Sequence, residues 1–277
     1  MRLLIVIPVY NERRYVEGVL AKVLGVAKSV DVPTDILMVD DGSTDGTAEL
    51  LGRRGDLHLL HHTTNAGYGQ SLIDGFAYAA DHAYDWAITM DCDEQHEPER
   101  IPDFIREIQT GQWDLISGSR YLRPSDADDL PPKDRRSINA TITQILNDRL
   151  GLQLTDAFCG FKAHRVSAMA NVHLTETGYA FPLQLWPAVV RAGLRITELP
   201  VRLIYNDLKR NFGGALNDAQ VRLQHYLSVF EAEMAKPAFR PSVELVPVPV
   251  ELPEPDGRAA LAADADAMLC YFPCCCG

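Results

Sequence analysis

Four times in its first 120 residues the chain makes the same switch, from a short apolar run to residues spaced for a helix, and a fifth apolar run follows. The first run, "LLIVIPV" (Leu3–Val9), is continuous, as expected of a strand covered on both faces. Val16, Val19, Leu20, Val23 and Leu24 then recur at helical spacing. "DILMVD" (Asp35–Asp40), "LHLLHH" (Leu57–His62), "DWAITMD" (Asp85–Asp91) and "DLISGSR" (Asp114–Arg120) read as strands two to five. Helices are expected between them: one capped by Ser43 or Thr44, one from Gly69 to His82, and one from Pro98 to about Thr110 with proline in its tolerated first turn. Such alternation with short connections calls for parallel strands joined by right-handed crossovers. The fold class is therefore α/β, a mostly parallel central sheet flanked by helices.

Ligands of such sheets bind beyond the carboxyl ends of the strands. Polar residues collect at that edge: Asn11 and Glu12 after strand one, Asp40 and Asp41 after strand two, and Asn65 after strand three. Asp91 and Asp93 follow strand four, and Arg120 ends strand five. One such group could be a solvated turn, but five on one edge make a site.

After Arg120 the pattern changes. A charged, Pro-containing loop (Leu122–Arg136) leads to an apolar stripe of Ile138, Ile142, Ile145, Leu146 and Leu150 on one helix. "DAFCGFKAHR" (Asp156–Arg165) and "RITELPVRLIY" (Arg195–Tyr205) read as further strands around a helix from Pro182 to Arg191. A last helix is expected from about Leu216 to Ala235. Residues 1–235 thus form one domain, and the Pro-rich, acidic residues 236–277 read as a disordered tail with a terminal cysteine cluster.

Composition narrows the function. A net charge of −12 excludes a nucleic-acid surface, which needs a basic footprint, yet leaves room for a small anionic ligand. The opening apolar run is too short for a secretory signal and contains Pro8. No apolar stretch approaches the ~20 residues that span a bilayer, so membrane contact is expected to be peripheral. Cys92 and Cys159 stand alone in a body without a disulfide framework, as in a cytoplasmic protein.

The sharpest chemistry lies in "MDCDEQHEP" (Met90–Pro98). If the strand runs on, alternation puts the Asp91 and Asp93 carboxylates on one side and Cys92 on the other. Carboxylate oxygen suits Mg2+ or Mn2+, ions that share their coordination with substrate phosphates and could stabilise a diphosphate leaving group. The competing reading is a solvated acidic turn. Asp41 is placed to face a ligand hydroxyl or base, and Asp40 to serve structure. No phosphate loop, GxGxxG fingerprint or nucleophile elbow occurs.

Taken in order, "VIPVYNE" (Val6–Glu12), "VDDGSTDGT" (Val39–Thr47), "NAGYGQSLIDGF" (Asn65–Phe76), "MDCDEQHEP" and "SGSRY" (Ser117–Tyr121) resemble the family 2 glycosyltransferases of the nucleotide-diphospho-sugar transferase (GT-A) fold. Within that family the chain is most similar to the polyprenyl-phosphate sugar transferases, the dolichyl-phosphate mannose synthase type, from about Arg2 to Tyr205. The resemblance implies metal-dependent, inverting transfer of a hexose, mannose or glucose, from a GDP- or UDP-sugar to a polyprenyl phosphate. Pro8, Tyr10, Glu12, Val39 and Asp41 would hold the nucleoside, with Cys92 also on the donor side. Asp91, Asp93 and Gln95 would bind the metal and diphosphate, and Arg120 would sit by the sugar and phosphates. Arg135 and Asn139 would meet the acceptor phosphate. Two other readings stay open: a hydroxyl acceptor, with Asp156 as the first carboxylate to test as base, and a catalytically silent donor-binding subunit. The family's Arg-x-x-Gly-x-Ser-Lys segment is altered here to Arg210-Asn211-Phe212-Gly213-Gly214-Ala215-Leu216, which keeps Arg210 for a phosphate and loses the lysine.

Overall fold

The computed structural model describes residues 1–125, 128–206 and 214–237 of the 277. Seven strands form one sheet in the order β3-β2-β1-β4-β6-β5-β7. They are β1 (Leu3–Val9), β2 (Thr34–Asp40), β3 (His58–His61), β4 (Trp86–Thr89), β5 (Leu115–Ser119), β6 (Lys162–Arg165) and β7 (Ile196–Pro200). Neighbours are parallel except for β6, which runs antiparallel to both β4 and β5.

The insertion of β6 is the largest departure from the sequence reading, because it separates β4 from β5. Its reversed direction also shapes the site: β6 starts where the parallel strands end, so the segment leading into Lys162 arrives at the ligand edge. That segment (156–161) was expected to be strand and is not. Its amides are taken by side chains: Asp156 N–H donates to Glu198 Oε1 (3.1 Å), Ala157 N–H to Thr143 Oγ1 (3.1 Å) and Phe158 N–H to Asp156 Oδ1 (3.1 Å). No ladder can form at those three residues, whose amides are already spent.

Alternation along the strands supplies two packed layers. In β1, Leu3, Ile5, Ile7 and Val9 face α1 (Val16–Ser29) and α4 (Ile101–Gln109), while Leu4 and Val6 join the layer on the other face. In β5, Ile116 belongs to the first layer and Leu115 to a second cluster. That cluster packs against α5 (Lys133–Leu150), α7 (Phe181–Arg191) and α8 (Ala219–Met234). Between them in the chain come α2 (Thr47–Leu51), α3 (Tyr68–Asp81) and the short α6 (Val166–Met169).

Local signals explain most boundaries. Pro8 is tolerated in a central strand because β4 pairing stops at Val6, so the missing N–H faces no partner. Neither Ser43 nor Thr44 caps α2; Ser43 Oγ instead accepts Asn11 N–H (2.9 Å), and Gly46, at φ +92°, occupies the cap. Helix α8 starts at Ala219 because the Asp218 carboxylate accepts the Gln220 and Val221 N–H groups (2.8 and 3.0 Å). Pro98–Arg100 forms a single 3-10 turn before α4.

Candidate active site

A cleft of about 560 Å3 opens at the carboxyl edge of the sheet, within the range of small-molecule sites. It gathers residues from five loops. Pro8, Tyr10 and Glu12 enter from the end of β1, Asp41 from β2 and Asn65 from β3. Asp91, Cys92, Asp93 and Gln95 follow β4, Arg120 follows β5, and Arg135 and Asn139 come from the first turns of α5. Val39, expected to hold the nucleoside, does not line the cleft: near the end of β2 it is fully buried with Leu37 and Val6. Arg210 lies outside the described residues.

The acidic stretch is a loop, not the end of a strand, since β4 stops at Thr89 and Glu94 sits at φ +58°. The loop nonetheless separates its side chains as alternation would. Asp91 and Asp93 line the cleft, while the Cys92 side chain is 3% exposed within the core cluster. Tyr68 O–H donates to Asp91 Oδ1 (3.0 Å), Asp91 N–H donates to His96 Nδ1 (3.0 Å), and Gln95 N–H donates to Asp93 Oδ1 (3.0 Å). Glu94 pairs with Lys22 (3.7 Å) and Glu97 with Arg100 (3.6 Å), facing away from this work.

Gly160 presses on Asp91 from the loop before β6. A Cβ there would lie 2.6 Å from Asp91 Oδ2 and 2.9 Å from Oδ1. The cradle and the hard oxygen donors of Asp91 and Asp93 would suit Mg2+ or Mn2+. Among the described residues no three His, Cys, Asp or Glu side chains converge on one point. Two carboxylates completed by phosphate oxygens and water is the usual arrangement for Mg2+ at phosphates.

Arg120 and Asp156 form the electrostatic centre of the opposite wall. Arg120 Nε and Nη2 donate to Asp156 Oδ2 and Oδ1 (2.6 and 2.9 Å), and Asn139 Nδ2 donates to Oδ1 (2.9 Å). Burial alone would raise the Asp156 carboxyl, but the Arg120 charge and these hydrogen bonds hold it down at about 2. Beneath it Glu198 accepts Thr155 N–H and Oγ1–H (2.8 Å each), and burial pushes the Glu198 carboxyl up. Asn139, expected at the acceptor phosphate, is buried with its amide committed to Asp156 and its carbonyl accepting Thr143 O–H (3.0 Å). Arg135 lies against the Tyr205 ring, 5.5 Å from its centre.

Asp41 is held more tightly than a free reading group would be. It accepts the Ala66 and Gly67 amides (2.7 and 2.9 Å), and His62 Nδ1 lies 2.7 Å from its Oδ1. Asp40 is fully buried and accepts Ser43 N–H (3.3 Å), the structural role expected of it. Three cleft residues lie in segments the sequence singled out but were given no site role there: Tyr68, Gly160 and the buried Lys162, whose Nζ donates to Ser117 Oγ (2.9 Å) and to the Cys159 carbonyl. Burial pushes the Lys162 ammonium down.

The model of the family described as "Glycosyl transferase family 2" matches residues 4–172, more than half of the chain and every loop up to the start of β6. The chain belongs to that family. This glycosyltransferase is 32% identical over 235 residues to an undecaprenyl-phosphate mannosyltransferase of Micrococcus luteus, covering 82% of this chain and 94% of that one. It is 29% identical over 235 residues to a polyprenol monophosphomannose synthase of Mycolicibacterium smegmatis, covering 81% and 86%. Among solved structures it resembles mannosyl-3-phosphoglycerate synthase from Rubrobacter xylanophilus (TM-score 0.63, 16% identity, 84% and 74% covered). It also resembles glucosyl-3-phosphoglycerate synthase from Mycobacterium tuberculosis in complex with Mn2+, uridine-diphosphate-glucose and phosphoglyceric acid (TM-score 0.60, 18% identity, 85% and 80% covered). At those identities the likeness is one of fold.

Proposed function

We propose that this glycosyltransferase moves a hexose, mannose or glucose, from a GDP- or UDP-sugar to a polyprenyl phosphate, inverting the anomeric centre. The names of the two relatives support the lipid acceptor, and the Mn2+ and nucleotide-sugar in the solved neighbour support the donor and cation. The observation that carries the reading is the state of Asp156. Its two oxygens accept from Arg120, Asn139 and Phe158, and its carboxyl is held at about 2. It is a poor base for a hydroxyl acceptor and a good counter-charge for an arginine that meets phosphate. A phosphate acceptor arrives ionised and asks only for positioning.

In this reading Pro8, Tyr10, Glu12 and Asp41 hold the nucleoside, and Asp91, Asp93 and Gln95 would hold the cation. The cation, when bound, supplies Lewis-acid neutralisation of the diphosphate. Arg120 stabilises charge between donor and acceptor, and Arg135 receives the acceptor phosphate. Asn139 positions Arg120 through Asp156. A phosphate oxygen then displaces the diphosphate in line. Residues 1–235 carry catalysis, working peripherally at the cytoplasmic face of a membrane; no helix among the described residues is long and apolar enough to cross one.

The test is incubation of labelled GDP-mannose and UDP-glucose with polyprenyl phosphate, with and without a chelator. Label should pass into the organic phase only when the cation is present. Transfer confined to water or to a hydroxyl acceptor would sink the reading.

A further inference from the structure

Of the six large apolar side chains left exposed among the described residues, Tyr10 and Tyr179 line the cleft and Leu130 precedes Pro131 in its wall, while Met1, Leu59 and Val221 do not line it. Leu130 is extreme, at 88% exposure. It is not left out by slack in the loop. Asp129 N–H donates to the Leu203 carbonyl (2.9 Å), Leu203 N–H donates to Asp128 Oδ1 (3.1 Å), and Tyr205 N–H donates to Asp129 Oδ2 (2.7 Å). The backbone is tied down on one side so that Leu130 projects from the other. The Asp134–Arg222 ion pair (2.9 Å) fastens the start of α5 to the start of α8.

Residues 123–136 carry four bases and four acids, a neutral balance in a chain of net charge −12, and the described ones differ in how they are paired. Among the described residues the acids of this rim are paired: Asp128 and Asp129 accept backbone amides, and the exposed Asp134 pairs with Arg222. Its bases are turned out. Arg123, Lys133 and Arg136 are exposed, and among the described residues Arg123 and Lys133 have no ion pair while Arg136 lies over the Tyr121 ring at 3.6 Å. A projecting leucine backed by outward cations is the chemistry of a surface that meets anionic lipid.

We propose that this rim, with Leu130 at its tip and Arg123, Lys133 and Arg136 beside it in the chain, docks on an anionic bilayer and sets the cleft mouth against it. The inference rests on the lipid-acceptor reading: a polyprenyl chain that stays in the membrane can deliver its phosphate to Arg135 only if Pro131, Arg135 and Ile138 face that membrane.

The full chain is tested by co-sedimentation with vesicles of phosphatidylcholine doped with phosphatidylglycerol, alongside pure phosphatidylcholine vesicles. Transfer is measured to polyprenyl phosphate embedded in the vesicles and to a short-chain, water-soluble polyprenyl phosphate. Leu130→Asp should weaken vesicle binding about tenfold, the worth of one buried leucine, and lower transfer to the embedded acceptor alike. Its transfer to the short-chain acceptor should match the parent. Lys133→Glu with Arg136→Glu should weaken binding about thirtyfold or more on doped vesicles only, at roughly 1 kcal/mol per surface cation. Vesicle binding unchanged in both variants, or absent from the parent chain, would overturn the proposal. If no protein transfers sugar to either acceptor, the functional reading fails, and vesicle binding alone then judges the rim.

Discussion

Arg120 enters the cleft with its charge already answered from below, and that shapes what single substitutions should do. The Asp156 carboxyl is lowered in the folded protein, so the pair adds stability above the ordinary carboxyl value of 3.8 and loses it as pH falls toward about 2. The contribution is on the order of 2 kcal/mol at neutral pH, and about half of it should remain near ~pH 3. Asp156→Asn removes the charge and keeps the shape. Urea unfolding of parent and variant should therefore show a stability gap that shrinks in acid; a gap of equal size at both pH values would rule out the charge as its source. Gly160 makes the complementary case at the cation site. In Gly160→Ala the new methyl must displace the Asp91 carboxylate, 2.6 Å away, while the backbone carries no positive-φ strain. Calorimetric titration with UDP or GDP in Mn2+ should show binding weakened about tenfold or more, the cost of a misplaced charged contact. Binding equal to the parent would remove Asp91 from the proposed ligand set.

At the scale of elements, the parallel half of the sheet was legible because each apolar run is local and flanked by its own helix. The polar edge was legible for the same reason: Asp41, Asp91 and Arg120 follow strands that the sequence marks by itself. Sheet order was not, because nothing near Lys162 shows that β6 will turn over and lie between β4 and β5. The Arg120–Asp156 pair spans 36 residues and the Tyr68–Asp91 bond 23, so neither leaves a local trace. The glycines of "NAGYG" were quoted as part of a motif, but their reason is packing. The N-terminal turn of α3 abuts residues 176–178, and a Cβ on Gly69 would stand 2.2 Å from the Glu176 carbonyl oxygen. Gly69→Ala should cost about 1–3 kcal/mol by overpacking. Gly25, in α1 with nothing within 4 Å of its would-be Cβ, predicts the opposite sign: Gly25→Ala should gain about 0.5–1 kcal/mol from helix propensity. Urea midpoints of the two variants should move in opposite directions. Equal shifts would mean that the close approach to Glu176 is not what fixes Gly69.

For the molecule as a whole, one sheet serves two packed layers, and this sets how it should come apart. Neighbouring residues of β1 feed opposite layers, Ile5 and Ile7 one way, Leu4 and Val6 the other, and β5 divides Ile116 from Leu115 likewise. Neither layer keeps its floor if the other melts and the strands separate, so loss of either should take both. The tryptophans make this measurable, because Trp86 and Trp113 lie in the α1–α4 layer and Trp186 in the layer of α5, α7 and α8. In a Trp186→Phe variant, fluorescence reports the first layer alone while far-UV circular dichroism reports helices of both. The variant loses the bond from Trp186 Nε1 to the Ala157 carbonyl (2.9 Å), so its midpoint should fall, but the two signals should fall together. The cleft takes Asp91 from a loop anchored in the first layer and Arg120, through Asp156 and Asn139, from the second. A fluorescence transition that lagged behind the circular dichroism would mean the layers unfold separately, and that the two walls of the cleft are not held in register by the sheet between them.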